Sequence, residues 1–325
     1  MLEVGIIGGA GYTAGELIRL LLNHPETNIN FVYSTSNAGN KIYKVHQDLI
    51  GTTTLLFTNA INTDVDVLFL CLGHGNSTSF LQKNTFSENT KIIDLSTDFR
   101  LLADKNFERK EFVYGLPELQ KETIKKAKYI ANPGCFATAL QLAILPLAAN
   151  GLLQHDVHIN AVTGATGAGT SLSASTHFTN RDNNFSHYKA FNHQHLKEIN
   201  QTVALLQTNA TAEINFVPNR GNFSRGIFAT TYTKFDGSIQ EAIKMYQAYY
   251  KEAPFTFISE EEIHLKQVVN TNKCLLHLEK HGNKLLITST IDNLLKGASG
   301  QAVQNLNLMY GFDETLGLNL KASYF

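Results

Sequence analysis

Cysteine is scarce in this chain of 325 residues: there are three, at positions 71, 135 and 274. An odd number cannot pair completely, and no two are spaced Cys-x-x-Cys, so no disulfide framework is expected and a reducing, cytoplasmic setting follows. Long apolar runs are also missing. No stretch approaches the roughly 20 residues that cross a bilayer, and the amino terminus enters a strand-like segment without the pattern of a signal peptide, so no membrane partner is expected. Charge of one sign is absent as well. Lys+Arg number 27 against 28 Asp+Glu, a net charge of −1 without long like-charge blocks, which removes the electrostatic case for nucleic acid. Internal repeats and low-complexity tracts are not found. What is present, 43% hydrophobic and 17% charged residues at a length sufficient for two cores, suits a globular enzyme whose default partner is a small molecule.

The first third alternates strand and helix patterns. Leu2-Glu3-Val4-Gly5-Ile6-Ile7 is a short apolar run, then a glycine turn follows, and Ile18, Leu20, Leu21 and Leu22 continue a helix that stops before Pro25. Ile29–Tyr33, Val65–Leu72 and Lys91–Leu95 read as further strands. The fold class predicted is α/β, a doubly wound parallel sheet of the Rossmann type with a second α+β unit. In the glycine turn, Gly8 and Gly11 leave room for a dinucleotide pyrophosphate to approach backbone amides at a helix N-terminus, with Tyr12, Thr13 and Ala14 opening that helix. The spacing is Gly-x-x-Gly without the fuller fingerprint; its place between strand and helix carries the reading. After the second strand an NAD enzyme would present a carboxylate to the ribose. Here stand Ser34, Thr35 and Ser36, with Lys41 nearby. Hydroxyl donors and no acid favour NADP(H), the alternative being a serine-rich surface turn.

The candidate nucleophile is Cys135. It follows the turn Asn132-Pro133-Gly134 and opens the apolar helical run Ala139–Leu147, where unpaired backbone N–H groups and the helix dipole favour thiolate. Cys71 and Cys274 lie inside apolar runs and read as buried small hydrophobes. A thiolate needs a partner that accepts and returns protons, which histidine can do near neutrality. His193-Gln194-His195 offers two; His195 is the first candidate and His193 the alternative. Zinc on this His-x-His lacks a third ligand of convincing spacing, so no metal is expected.

The stretches GGAGYTAGEL, SNAG, IIDLSTDFRL, VYGLPEL, ANPGCFAT, NFVP followed by RGI, and KGASGQAVQNLNLMYGFDETLGL resemble, in order and over essentially the whole chain, the N-acyl-γ-glutamyl-phosphate reductases, relatives of aspartate-semialdehyde dehydrogenase. The resemblance implies NADPH-dependent reduction of an acyl phosphate to a semialdehyde through a cysteine thioester, in arginine biosynthesis, by a homodimer or homotetramer. It transfers phosphate binding to Arg100, and places the glycine-rich loop with Thr166 and Gly167 beside the nicotinamide. Arg225 is a candidate for the substrate α-carboxylate, and Asn293 and Gln301 for the carboxamide. The His-x-His segment resembles the family's His-Arg-His-x-Pro-Glu-Ile, with Gln194 and Lys197 departing from it. Other departures are Ala14-Gly15 for Gly-Ala, Thr35 for an arginine in the cofactor loop, Phe136-Ala137 for Tyr-Pro, and Asn219 for a histidine. An N-succinyl substrate, the aspartate-semialdehyde branch of the chemistry and a non-catalytic NADP-binding sensor remain the alternatives. The expected units are 1–134 with 297–325 for the dinucleotide and 135–296 for substrate and dimerisation.

Overall fold

The alternation of apolar runs with glycine turns builds a parallel sheet, as the sequence predicts. In the computed structural model, which describes residues 1–325, the chain forms two compact units, Met1–Pro133 with Ala298–Asn319, and Gly134–Gly297 with Leu320–Phe325.

The first unit opens with β1 (Leu2–Ile7), α1 (Tyr12–Leu21), β2 (Thr27–Tyr33), the two-residue β3 (Phe57–Thr58), β4 (Val67–Leu70) and α2 (Ser77–Lys83). It continues with β5 (Lys91–Asp94), β6 (Asn106–Phe107), β7 (Lys110–Tyr114), α3 (Pro117–Lys126) and β8 (Tyr129–Ala131). Their order in the eight-stranded sheet is β3-β2-β1-β4-β5-β8-β7-β6, parallel except where β6 turns back on β7. β4 is buried at every position, the mark of a strand covered on both faces. Phe99 and Phe112 stack at 4.0 Å in the core beside Leu68, Leu70 and Ile92.

The second unit starts on α4 (Cys135–Ala149), followed by β9 (Val157–Thr163), the short α5 (Phe178–Arg181), β10 (Ser186–His187), α6 (Leu196–Leu206) and β11 (Ile214–Arg220). Then come β12 (Ile227–Lys234), α7 (Ile239–Tyr249), β13 (Thr256–Ser259), β14 (Cys274–His281) and β15 (Lys284–Ile291). The seven strands lie in the order β10-β11-β9-β12-β15-β14-β13. Alternate residues Ile227, Ala229, Thr231 and Thr233 of β12 are buried on the side that α4 packs against, while Tyr232 is 40% exposed on the other. α4 carries Pro146 in its interior, and proline cannot donate to the carbonyl four residues back. That carbonyl, Leu142 O, accepts from Tyr250 Oη at 2.6 Å instead, and Ala143 O accepts from Tyr246 Oη at 2.5 Å. Every residue from Phe136 to Ala148 is buried, so α4 is a rigid rod with the cysteine at its tip.

A wide π turn at Leu295–Ser299 returns the chain to the first unit as α8 (Gly300–Tyr310), ended by Gly311 in the left-handed conformation. The division differs from the sequence expectation at the carboxyl end: residues 320–325 belong with the second unit, because Ser323 N donates to Val269 O (3.0 Å) and Asn270 Nδ2 to Lys321 O (3.3 Å). Hydrogen bonds of this kind leave no composition signal.

Candidate active site

Cys135 is the first residue of α4, half-buried, and none of the cysteines is in a disulfide. Gly134 is its N-cap in extended geometry (φ −72°, ψ 151°) with no side-chain cap on the first turn. The reason for glycine is a neighbour and not the backbone angle. A Cβ there would collide with His195 Nε2, so the imidazole lies directly on the residue preceding Cys135. Gly297 packs on the other side, where a Cβ would come 2.8 Å from the Cβ of Cys135. Glu198, on the first turn of α6 and buried, joins the two candidates: its Oε2 accepts from Gly134 N at 3.0 Å and its Oε1 is 4.0 Å from His195 Nε2. Sequence reasoning alone does not single out Glu198. Its spacing of three from His195 on a helix start was the available signal.

The two histidines differ in their surroundings. His193 is buried against Phe136, Tyr188 and Phe216 at ring distances of 5.4, 5.7 and 5.5 Å, and its Nδ1 accepts from His195 N at 3.3 Å. Burial, reinforced by the Lys189 charge, pushes its pKa down to about 4, so it is neutral near pH 7 and props its neighbour. Tyr188 completes the wall: burial and the negative charge of Cys135 push its hydroxyl up to about 12 against the pull of Arg220, whose guanidinium lies 4.4 Å above its ring. No group of three or more metal-ligating side chains gathers in the chain.

Asp292 organises the rest of this unit and was not singled out from sequence. Fully buried after β15, it accepts from Arg225 Nε (3.0 Å) and Nη2 (3.2 Å), and from the backbone amides of Asn270 (2.7 Å), Leu294 (2.8 Å) and Leu295 (3.1 Å). Arg225, expected on the substrate α-carboxylate, is therefore a fork on an internal carboxylate. Asn293, expected at the carboxamide, is engaged at both ends of its amide: Oδ1 accepts from Gly226 N (2.6 Å) and Nδ2 donates to Thr166 Oγ1 (3.1 Å). Thr166 in turn donates to Ser224 O (2.7 Å), and Gly167 lies in the same turn. These bonds brace the glycine-rich loop.

In the first unit, Gly8 adopts φ +78°, and a Cβ would approach Cys71 O to 2.5 Å. Gly11 caps α1 in extended geometry with nothing closer than 3.9 Å to a Cβ, and no side chain caps the helix. Tyr12 is exposed and Ala14 buried, with Thr13 between them on that first turn. An open helix start behind a glycine turn fits a pyrophosphate. His46, unforeseen from sequence, donates from Nε2 to Gly9 O (2.7 Å) and occupies the space a Cβ on Gly15 would need. At the end of β2, Asn37 Nδ2 donates to Ser34 Oγ (3.3 Å) and Ser36 Oγ (3.1 Å), while Thr35 is exposed, and no acid is present. Arg100, 5% exposed, donates from Nε to Asn132 O (2.8 Å) and from Nη2 to Leu95 O (2.9 Å). Gln301 is fully buried on the first turn of α8.

With this geometry in place, comparisons locate the chain among known proteins. A family model described as "Semialdehyde dehydrogenase, NAD binding domain" matches residues 3–127, and one described as "Semialdehyde dehydrogenase, dimerisation domain" matches residues 135–293. A protein named N-acetyl-gamma-glutamyl-phosphate reductase from Christiangramia forsetii is 69% identical over 325 residues, all of both chains. The chain belongs to the N-acetyl-gamma-glutamyl-phosphate reductases. A second relative of that name, from Flavobacterium johnsoniae, is 60% identical over the whole of both chains. Among solved structures, aspartate semialdehyde dehydrogenase II from Vibrio cholerae aligns with a TM-score of 0.74 at 16% identity, covering 96% of this chain and 99% of that one. Aspartate semialdehyde dehydrogenase with NADP from Candida albicans aligns at 0.69 and 12% identity, covering 95% and 99%. These structures share the fold: an α/β Rossmann-type sheet with a second α+β unit.

Proposed function

We propose that the protein reduces N-acetyl-γ-glutamyl phosphate to N-acetyl-glutamate 5-semialdehyde with NADPH and release of phosphate, a step of arginine biosynthesis. The observation that carries this reading is the imidazole of His195 seated on Gly134, against the turn that presents Cys135, within a member of this family.

The Cys135 sulfur attacks the acyl-phosphate carbonyl; a C–S bond forms, the C–O bond to phosphate breaks, and a thioester remains on Cys135. His195 accepts the thiol proton as the thiolate forms. His193, neutral, keeps it oriented. Arg100 is the residue assigned to the departing phosphate, and with two of its N–H groups on carbonyls it offers chiefly its charge. When bound, NADPH would supply the hydride that reduces the thioester. Reduction leaves an oxyanion that protonated His195 stabilises; as the carbonyl re-forms the C–S bond breaks, His195 returns its proton to the departing sulfur, and the semialdehyde leaves. Gly8, Gly11 and the first turn of α1 would hold the pyrophosphate, and Ser34, Thr35 and Ser36 would hold the adenosine phosphate. The half-open face of the seven-stranded sheet, with Tyr232 and Phe257 exposed, supports a homodimer or homotetramer, which sedimentation would measure.

Cys135→Ser tests the reading. It should bind NADPH normally and release no burst of phosphate, whereas near-normal turnover would reject covalent catalysis at this position.

A further inference from the structure

The substrate carries at least one carboxylate, yet the arginine expected to grip it, Arg225, is neutralised by buried Asp292 at 3.0 Å. Another guanidinium stands beside the same site without an acid. Arg220 ends β11, half-buried, with Nη1 donating to Ser175 Oγ at 2.8 Å and its Cζ 4.4 Å from the centre of the Tyr188 ring. No carboxylate pairs with it. Tyr188 lies edge-on to His193 at 5.7 Å, and His193 edge-on to His195 at 4.7 Å, so continuous ring contacts link Arg220 to the imidazole beside Cys135.

A second arginine converges on the same turn. Arg181, only 8% exposed, donates from Nη2 to the carbonyl of Gly221, the residue after Arg220, at 2.6 Å, and it too has no carboxylate partner. Burying a guanidinium costs several kcal/mol unless an anion compensates it. Arg181, buried, and Arg220, half-buried over the Tyr188 ring, meet at the Arg220-Gly221 step and together form a pre-organised anion receptor. Lys189, the other cation of this segment, is exposed and donates to Gln194 Oε1.

We propose that Arg220, backed by Arg181, binds a carboxylate of the substrate and sets which N-acylglutamyl compounds are accepted. The inference rests on the acyl-phosphate reductase reading of Cys135. The carboxylate is either the α-carboxylate of the glutamyl unit or one at the far end of a dicarboxylic N-acyl group, and both offer the same two oxygens to a guanidinium fork.

The test compares wild type, Arg220→Gln and Arg220→Lys in the phosphate-dependent oxidation of N-acetyl- and N-succinyl-glutamate semialdehyde, with calorimetric binding of N-acetyl- and N-succinyl-glutamate alongside. Arg220→Gln should raise KM about 10- to 100-fold with a smaller change in kcat, and Arg220→Lys should recover part of the loss. An equal rise for both substrates assigns the α-carboxylate; a rise confined to the succinyl compound assigns the distal one. Unchanged KM and unchanged binding on both, in a variant that melts like wild type, overturn the proposal. Should wild type bind the acylglutamates and turn over neither semialdehyde, the reductase reading falls. Weaker binding in Arg220→Gln would still support the receptor, and unchanged binding would overturn it.

Discussion

Glu198 holds Gly134 and faces His195 with the same carboxylate: 3.0 Å from Oε2 to the glycine nitrogen, 4.0 Å from Oε1 to the imidazole. It thus fixes the turn ahead of Cys135 and the imidazole together. Glu198→Gln keeps an acceptor for the amide and removes the charge, so stability should stay within about 1 kcal/mol while kcat falls roughly 10-fold. Glu198→Ala should lose the same activity and a further 1–3 kcal/mol or so, because a buried amide is left unpaired. Denaturant melts beside steady-state kinetics would separate the two.

Gly134→Ala is a steric test of the same contact. The backbone angle of Gly134 suits any residue, so the chain should fold, but the new methyl displaces His195 Nε2. A displacement near 1 Å costs on the order of 100-fold in rate. A variant with wild-type kcat would show that His195 is not the acid/base.

Acid should bear on two buried groups in opposite senses. His193 has an ordinary value of 6.5 and sits near 4 when folded, so the stability tied to its neutral form is present above pH 6.5 and lost as pH falls through 4. Asp94 goes the other way: burial lifts it from 3.8 to about 6 despite hydrogen bonds from Ser77 and Ser96, so its contribution is present below 3.8 and lost as pH rises through 6. His193→Gln should flatten the acid side of a melting-temperature profile between pH 4 and 6.5, and Asp94→Asn should flatten the decline between pH 4 and 6.

Arg225 and Asp292 should behave as a structural pair. Arg225→Ala leaves a buried carboxylate without its cation and should cost about 3–5 kcal/mol. Arg225→Ala with Asp292→Asn should recover part of that. If Arg225→Ala instead melts normally and only KM rises, the arginine serves the substrate after all.

The cofactor loop offers a gain-of-function test. Thr35 is exposed at the end of β2, where a guanidinium would meet the adenosine phosphate, so Thr35→Arg should lower KM for NADPH roughly 10-fold and leave NADH unaffected.

Much of the fold was legible because it is written locally. The run Leu2–Ile7, the turn at Gly8 and the apolar spacing of Leu17, Ile18, Leu20 and Leu21 specify β1, its turn and α1 from neighbouring residues, and Cys135 was visible because Asn-Pro-Gly announces the turn before it. The glycine of that turn, by contrast, answers to His195, 61 positions away, and Gly15 answers to His46. The fork of Arg225 on Asp292, 67 residues apart, redirected a residue that sequence chemistry alone had offered to the substrate. Tertiary partners of this kind leave no periodicity.

The all-round burial of α4, with Tyr250 repairing the gap at Pro146, leaves its tip no freedom to adapt to a new ligand. Any widening of what this enzyme accepts must then be written outside that helix, above all in the exposed stretch 167–180, where residues can change without disturbing the rod that carries the sulfur.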